Sequence, residues 1–230
     1  MDDDLDLRRF NDQCRLFPLP ELVFFPHNVL PLHVFEPRYR QLTEDALAAD
    51  QFVTMVRLRP PTHAGPGGLG SPPIDEVACL GRIIQHERTV DGRFFMLLVG
   101  RKRVRLLRER PSDRLYRIAD AVLLEDESPD QPEEPRRSEL IRLFRAAIER
   151  QGPIDEDLAG LLENAVPLDV LTDVVANALG LPPEFKQSLL AEPSAIRRAD
   201  SLLTVLRKLA GAGDPPSPRG RTFPPPFSLN

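Results

Sequence analysis

Four histidines, two cysteines and a dense run of arginines are the residues of this sequence whose chemistry is easiest to test against known patterns. His86-Glu87 opens like the His-Glu-x-x-His helix of a zinc protease, but Val90 stands where the second histidine is needed. His27, His33, His63 and His86 show no ligand spacing, and no Cys-x-x-Cys occurs. There is no Gly-Lys dipeptide, so no Walker A loop can cradle a triphosphate. No Gly-x-Gly-x-x-Gly follows directly on a strand, and no Gly-x-Ser-x-Gly elbow is present. The expectation is therefore no metal, no cofactor and no catalytic residues. Binding is the expected role.

Two stretches have the residue types for binding. Gly100-Arg-Lys-Arg-Val-Arg-Leu-Leu-Arg-Glu-Arg110 holds six basic residues. Arg101, Lys102, Arg103 and Arg105 would contact phosphates if the chain bound nucleic acid. The run lacks aromatic residues for base stacking. Its alternation Arg103/Val104/Arg105/Leu106 also suits the solvent face of an ordinary strand.

The second stretch is Pro31-Leu-His-Val-Phe-Glu-Pro-Arg-Tyr-Arg40. A strand edge or apolar groove built here would capture an extended polypeptide through main-chain hydrogen bonds and shallow pockets. Leu32, Phe35 and Tyr39 would supply apolar contact; Arg38 and Arg40 would donate to carbonyls. The plainer reading places Phe35 and Tyr39 in the core, with Glu36 pairing an arginine to fix a strand-to-helix corner. That reading is preferred for Phe35 and Glu36, because a buried aromatic contributes more than an exposed one.

The elements that position these stretches change type along the chain. Phe52–Leu58, Val77–Ile84, Phe94–Val99 and Tyr116–Leu124 are short, rich in β-branched residues and bounded by turn residues. Asp91-Gly92 before Phe94 predicts a type I′ hairpin turn. One helix interrupts, with Pro37 in its first turn and Tyr39, Leu42, Ala46 and Leu47 on one stripe. Later the period is helical, with stripes at Leu140–Ile148, Ile154–Ala165, Leu168–Leu179 and Ala199–Leu209. Pro167 and Gly180 bound the third stripe, and Ser194 and Gly211 bound the fourth. Fourteen of the 25 prolines fall in 60–73, 129–135 and 215–226, so these read as connections. The first is a surface loop, the second an acidic stretched linker, and the third a disordered Pro-rich tail that could also serve as a docking peptide in polyproline II form.

Composition limits the remaining classes. The 230 residues suffice for one large unit or two small ones. With 41% hydrophobic and 28% charged residues, wholesale disorder is excluded. A net charge of −5 argues against generic coating of nucleic acid. No apolar run approaches the roughly 18 residues of a membrane span. The acidic N-terminus is unlike a secretory signal. A cytoplasmic location is expected, with Cys14 and Cys79 as free thiols.

Leu16-Phe-Pro-Leu-Pro-Glu-Leu-Val-Phe-Phe-Pro-His-Asn-Val-Leu-Pro-Leu-His-Val-Phe-Glu-Pro-Arg-Tyr-Arg40 resembles the opening of the Lon protease substrate-binding (N-terminal) domain. Phe35-Glu36 with Arg38-Tyr39-Arg40 carries most of the likeness, with Leu19-Pro20, Phe25-Pro26 and Pro31-Leu32. Gly81-Arg82-Ile83, Asp91-Gly92-Arg93, Gly100 with Arg103-Val104, and Tyr116-Arg-Ile-Ala119 continue it. Leu171-Thr-Asp-Val-Val-Ala176 and Lys186-Gln187 with Leu189-Leu190 extend it into the helical half, so it covers about residues 14–208.

The resemblance implies an α+β fold: a PUA-like β pseudo-barrel with one interrupting helix, then a C-terminal α-helical bundle. The expected layout is an N-terminal segment 1–13, a β domain 14–125, an acidic linker 126–135, a bundle 136–211 and a tail 212–230. It further implies a stand-alone family member without the ATPase and peptidase domains. Its role would be non-enzymatic recognition of unfolded or damaged polypeptides, as an adaptor or chaperone-like holder in protein quality control. An ATP-dependent protease would be a partner; a membrane would not. Since PUA-like folds also occur in RNA-binding proteins, RNA binding is the alternative.

Overall fold

Period-two alternation divides each early strand between two apolar environments, and closing the sheet is what separates them. The computed structural model describes residues 7–59, 72–150, 160, 162 and 166–211. Six strands come first: β1 (Gln13–Pro20), β2 (Val29–Val34), β3 (Phe52–Leu58), β4 (Val77–Arg88), β5 (Phe94–Arg110) and β6 (Arg117–Leu123). Helix α1 (Pro37–Ala48) interrupts them after β2. Helices α2 (Glu134–Glu149), α3 (Leu168–Ala178), α4 (Pro183–Ala191) and α5 (Ala195–Gly211) follow. The α+β architecture implied by the resemblance is the one observed.

The sheet order is β2-β5-β4-β3-β1-β6, and an extra β5–β6 pairing closes five of the strands into a ring. β1 runs parallel to β3, and the other pairs are antiparallel. Small and branched side chains, with the aromatic Phe52, fill the barrel: Cys14, Leu16, Phe52, Val56, Ala78, Leu80, Val104, Ala119 and Ala121. The alternate residues Phe17, Val53, Met55, Val77 and Cys79 point outward and join a larger core with α1 and the C-terminal helices. Cys14 and Cys79 therefore sit on opposite sides of the barrel wall, both buried and free.

Strand β5 is far longer than expected, and the basic run is its second half. Its first half, Phe94–Val99, pairs with β2; its second half pairs with β6. Register shifts against β4 fall between Leu80/Gly81 and Ile83/Gln85. An extra residue in a strand swaps which side chains face which way. Cys79 and Val77 face the helices on one side of the first shift, whereas Leu98 and Met96 do so beyond it. Gly100 lies in this region because the backbone of Phe25 crosses it, and a Cβ there would collide with the Phe25 carbonyl oxygen.

Two local expectations are corrected. The Asp91-Gly92 turn is not type I′, since Gly92 alone has positive φ (+79°) in the hairpin. The Gly92 amide donates to the Thr89 carbonyl and the Thr89 amide to the Arg93 carbonyl, each at 2.9 Å. This is a three-residue loop that closes on a left-handed glycine. The acidic segment after β6 is not a stretched spacer either. Asp126 accepts from Arg198 at 3.1 Å, Glu127 accepts from Arg197 at 2.7 Å, and the Glu127 amide donates to the Pro193 carbonyl at 3.1 Å. The arginines of α5 draw the carboxylates in, and both halves share one core.

The helical stripes at Leu140–Ile148, Leu168–Leu179 and Ala199–Leu209 become α2, α3 and α5. Most of the stripe at Ile154–Ala165, the loop at 60–71 and the tail at 212–230 lie outside the described residues. Helix α4, bounded by Pro182-Pro183 and Glu192, was not anticipated from periodicity.

Candidate functional site

Strand β2 ends the sheet order and, among the described residues, has β5 as its only strand neighbour. The Gly100 amide donates to the Asn28 carbonyl at 2.9 Å, and in register Leu30, Leu32 and Val34 face Leu98, Met96 and Phe94. Antiparallel pairs alternate between bonded and non-bonded, so the main-chain groups of Val29, Pro31 and His33 point to the open edge. Pro31 has no amide to donate, and this is the one parity at which its absence costs the sheet nothing.

Side chains divide by the same alternation. Leu30, Leu32 and Val34 turn inward against the larger core. Val29, Pro31 and His33 turn outward and lie across from Val99, Leu97 and Phe95. Val29 is 48% exposed, and Phe35, just past the strand, is 58% exposed. His33 stacks on Phe95 with centroids 4.5 Å apart and planes within 11°; Phe35 approaches His33 at 5.7 Å. Beyond Phe95, Glu87 and Gln85 of β4 edge the strip with polar side chains. Contiguous apolar surface beside an unpaired strand edge is what an extended chain needs for capture.

The five residues singled out for polypeptide contact are thus not one surface. Phe35 is on it, contrary to the preference for a core position. Arg38 is exposed beside it, pairing with Glu36 at 2.7 Å and lying 4.6 Å from the Tyr39 ring centroid. The Glu36–Arg38 pair does mark the strand-to-helix corner, as the plainer reading had it. Leu32 is half-buried and faces inward, because its parity bonds it to β5. Arg40 is half-buried, with its guanidinium over Gly92. Tyr39 is buried: it stacks on Phe17 at 3.8 Å and donates to the Pro18 carbonyl at 2.8 Å, which seats α1 on β1. The missed members are Val29, His33, Phe95 and Leu97. Apolar residues occupy both parities of Val29–Phe35, so Pro31, with its missing amide, and the polar His33 are the residues that mark the outer face.

The basic run does not form a cationic surface. Arg103 is buried, donating to Asp173 and, at 3.0 Å, to the Leu190 carbonyl. Lys102 pairs with Glu125 at 2.6 Å, and Arg101 is half-buried. Arg108 pairs with Asp120 at 2.8 Å, and Arg117 of β6 holds Glu109. Arg105 is exposed but stands opposite Val122. The register shift in β5, which the sequence alternation could not show, is what turns Arg103 toward the helices.

Asp173 is 1% exposed in its side chain; burial pushes its carboxyl up, while the guanidiniums of Arg103 and Arg198 pull it back. A polar cleft of about 300 Å³ lies between α1 and β6, with Tyr116 donating to Asp45 at 2.8 Å and Arg114 paired to Asp45 at 3.2 Å. Burial, then the Asp45 hydrogen bond, raises the Tyr116 phenol to about 12. Among the described residues no group of three His, Cys, Asp or Glu is placed to hold a metal ion. No described helix is long and apolar enough to cross a membrane.

Comparison with known proteins agrees with this architecture. The family model for the ATP-dependent protease La (LON) substrate-binding domain matches residues 13–208. The chain is 26% identical over 189 residues to a Lon protease of Rhizobium meliloti, covering 82% of this chain and 23% of that protein. It is 28% identical over 196 residues to Lon protease 2 of Myxococcus xanthus, again covering 23% of that protein. The chain thus spans about a quarter of these relatives. The N-terminal domain of a Mycobacterium avium complex Lon protease superposes with TM-score 0.67 at 14% identity, over 85% of this chain and 98% of that one. A Lon N-terminal domain protein from Xanthomonas campestris superposes with TM-score 0.62 at 23% identity, over 84% and 97%.

Proposed function

The chain belongs to the substrate-binding domain family of ATP-dependent protease La (Lon), and from that premise we propose that it recognises unfolded or damaged polypeptides without catalysing a reaction. The observation that supports this is the outward apolar strip from Val29 to Phe35, backed by Phe95 and Leu97, beside the open edge of β2. A folded protein keeps its apolar segments inside, whereas an unfolded one presents them as extended chain. The strip offers the apolar contact, and the outward main-chain groups of Val29 and His33 offer hydrogen bonds that do not depend on client sequence.

Affinity is modest, in the micromolar range, because an unfolded client loses conformational freedom on docking. A site of that strength suits an adaptor or holder that passes clients to an ATP-dependent protease. Fluorescence anisotropy with a labelled, permanently unfolded polypeptide tests the reading, with a natively folded protein and an RNA oligonucleotide of equal length beside it. Binding of the unfolded polypeptide alone is the expected result. Binding of RNA alone, or of neither, overturns it.

A further inference from the structure

We infer that residues 219–230, Arg-Gly-Arg-Thr-Phe-Pro-Pro-Pro-Phe-Ser-Leu-Asn, are an internal ligand for the apolar strip and compete there with clients. This inference rests on the strip being the client surface. The segment lies outside the described residues.

The chemistry matches first. Phe-Pro-Pro-Pro-Phe favours the polyproline II helix, which loses little entropy on binding and docks on aromatic surfaces. The stacked His33–Phe95 pair with Phe35 beside it is such a surface. Three successive prolines have no amide to donate, so the segment cannot extend the sheet at the β2 edge. It fits the face of the strip instead.

Spacing and charge agree. Phe223 and Phe227 are four residues apart, about 12 Å in polyproline II form. His33 and Val29 are four residues apart on β2, about 14 Å along a strand. The two phenylalanines therefore span the strip from its aromatic end to Val29. Glu87 is exposed and lies directly across from Phe95, where it would face Arg221 or Arg219. Eleven residues separate Gly211 from Phe223, a span of about 34 Å in polyproline II form.

A tether supplying an effective concentration on the order of 1 mM, with a segment that binds in trans at about 0.1 mM, lowers client affinity about tenfold. The test compares the full chain with its F223S/F227S and V29S/F35S variants, using a labelled unfolded polypeptide and a labelled synthetic peptide of residues 219–230. The expected result is tighter client binding by F223S/F227S than by wild type, by several-fold. The synthetic peptide should bind F223S/F227S better than wild type and lose binding to V29S/F35S. Equal client affinity of wild type and F223S/F227S overturns the internal ligand while leaving client recognition intact. If no protein binds the client, the recognition reading fails; the peptide then decides the inference alone, which its failure to bind F223S/F227S overturns.

Discussion

Arg103 of barrel strand β5 and Asp173 of helix α3 form an ion pair in which the side chains are 5% and 1% exposed. The same arginine donates to the Leu190 carbonyl, and Arg198 of α5 donates to Thr172 at 3.1 Å and Asp126 at 3.1 Å. The Asn28 side chain donates to the Asp173 carbonyl at 3.3 Å, so the start of β2 is tied to the same point. Charges taken out of water are costly alone and tolerable when paired and hydrogen-bonded. The pair thus specifies one way for the helices to sit on the barrel.

Replacing Asp173 with Ala should cost about 3–5 kcal/mol, because two buried guanidiniums lose their shared carboxylate. Chemical denaturation reads this directly. The double variant R103M/D173L should recover much of the loss, since the Arg103 charge is gone and Arg198 keeps Asp126 as its partner at 3.1 Å. A D173A midpoint equal to wild type would show the network to be dispensable.

The chain contains two tyrosines and no tryptophan, which makes their ionisation readable in the ultraviolet. Burial raises the Tyr39 phenol above its ordinary value of 10, and burial with the Asp45 hydrogen bond raises Tyr116 to about 12. The folded state therefore holds these protons more tightly than the unfolded state. Their stabilisation is complete below pH 10 and, for Tyr116, is lost as pH rises through about 12. Absorbance near 295 nm should stay flat through pH 10 in the native protein and rise there in urea. A native transition at pH 10 would contradict the burial of both rings.

Burial raises the Cys14 thiol to about 11 and pushes Cys79 further up. At pH 8 the Cys14 thiolate fraction is then on the order of 0.1%. A chromogenic disulfide reagent should label neither thiol in the native protein and both in denaturant. Rapid labelling of one thiol without denaturant would show that the barrel wall opens.

Gly100 should not tolerate a side chain. Gly100→Ala drives a Cβ into the Phe25 carbonyl oxygen, which is backbone and cannot rotate away. Overpacking of this kind costs about 1–3 kcal/mol. Urea denaturation should show that loss; an unchanged midpoint would mean the Phe25 crossing is loose.

The division into barrel and helices was legible because period-two and period-3.6 patterns occupy separate stretches. The apolar run Phe52–Leu58 coincides with β3, and the apolar stripe of α1 buries Tyr39, Leu42 and Ala46. Registers were not legible. The shift at Arg101 reverses which residues of β5 face the helices, so Arg103, which plain alternation puts on the solvent face, is buried. Nor could alternation orient β2, where Val29, Leu30, Leu32 and Val34 are all apolar. Phe35 was expected in the core by its type, but the chain turns at Glu36-Pro37 before it can be covered.

The V29S/F35S pair, introduced into F223S/F227S and compared with F223S/F227S itself so that the C-terminal segment competes in neither protein, tests recognition by the strip most directly, with a labelled, permanently unfolded polypeptide as client and thermal stability measured in parallel. Val29 and Phe35 are both exposed, so the fold should hold with its midpoint nearly unchanged. Recognition by the strip requires client binding to weaken about tenfold or more, as expected when about 1.4 kcal/mol of apolar contact is lost. Unchanged affinity in a folded variant would contradict it and move the client surface elsewhere on the protein.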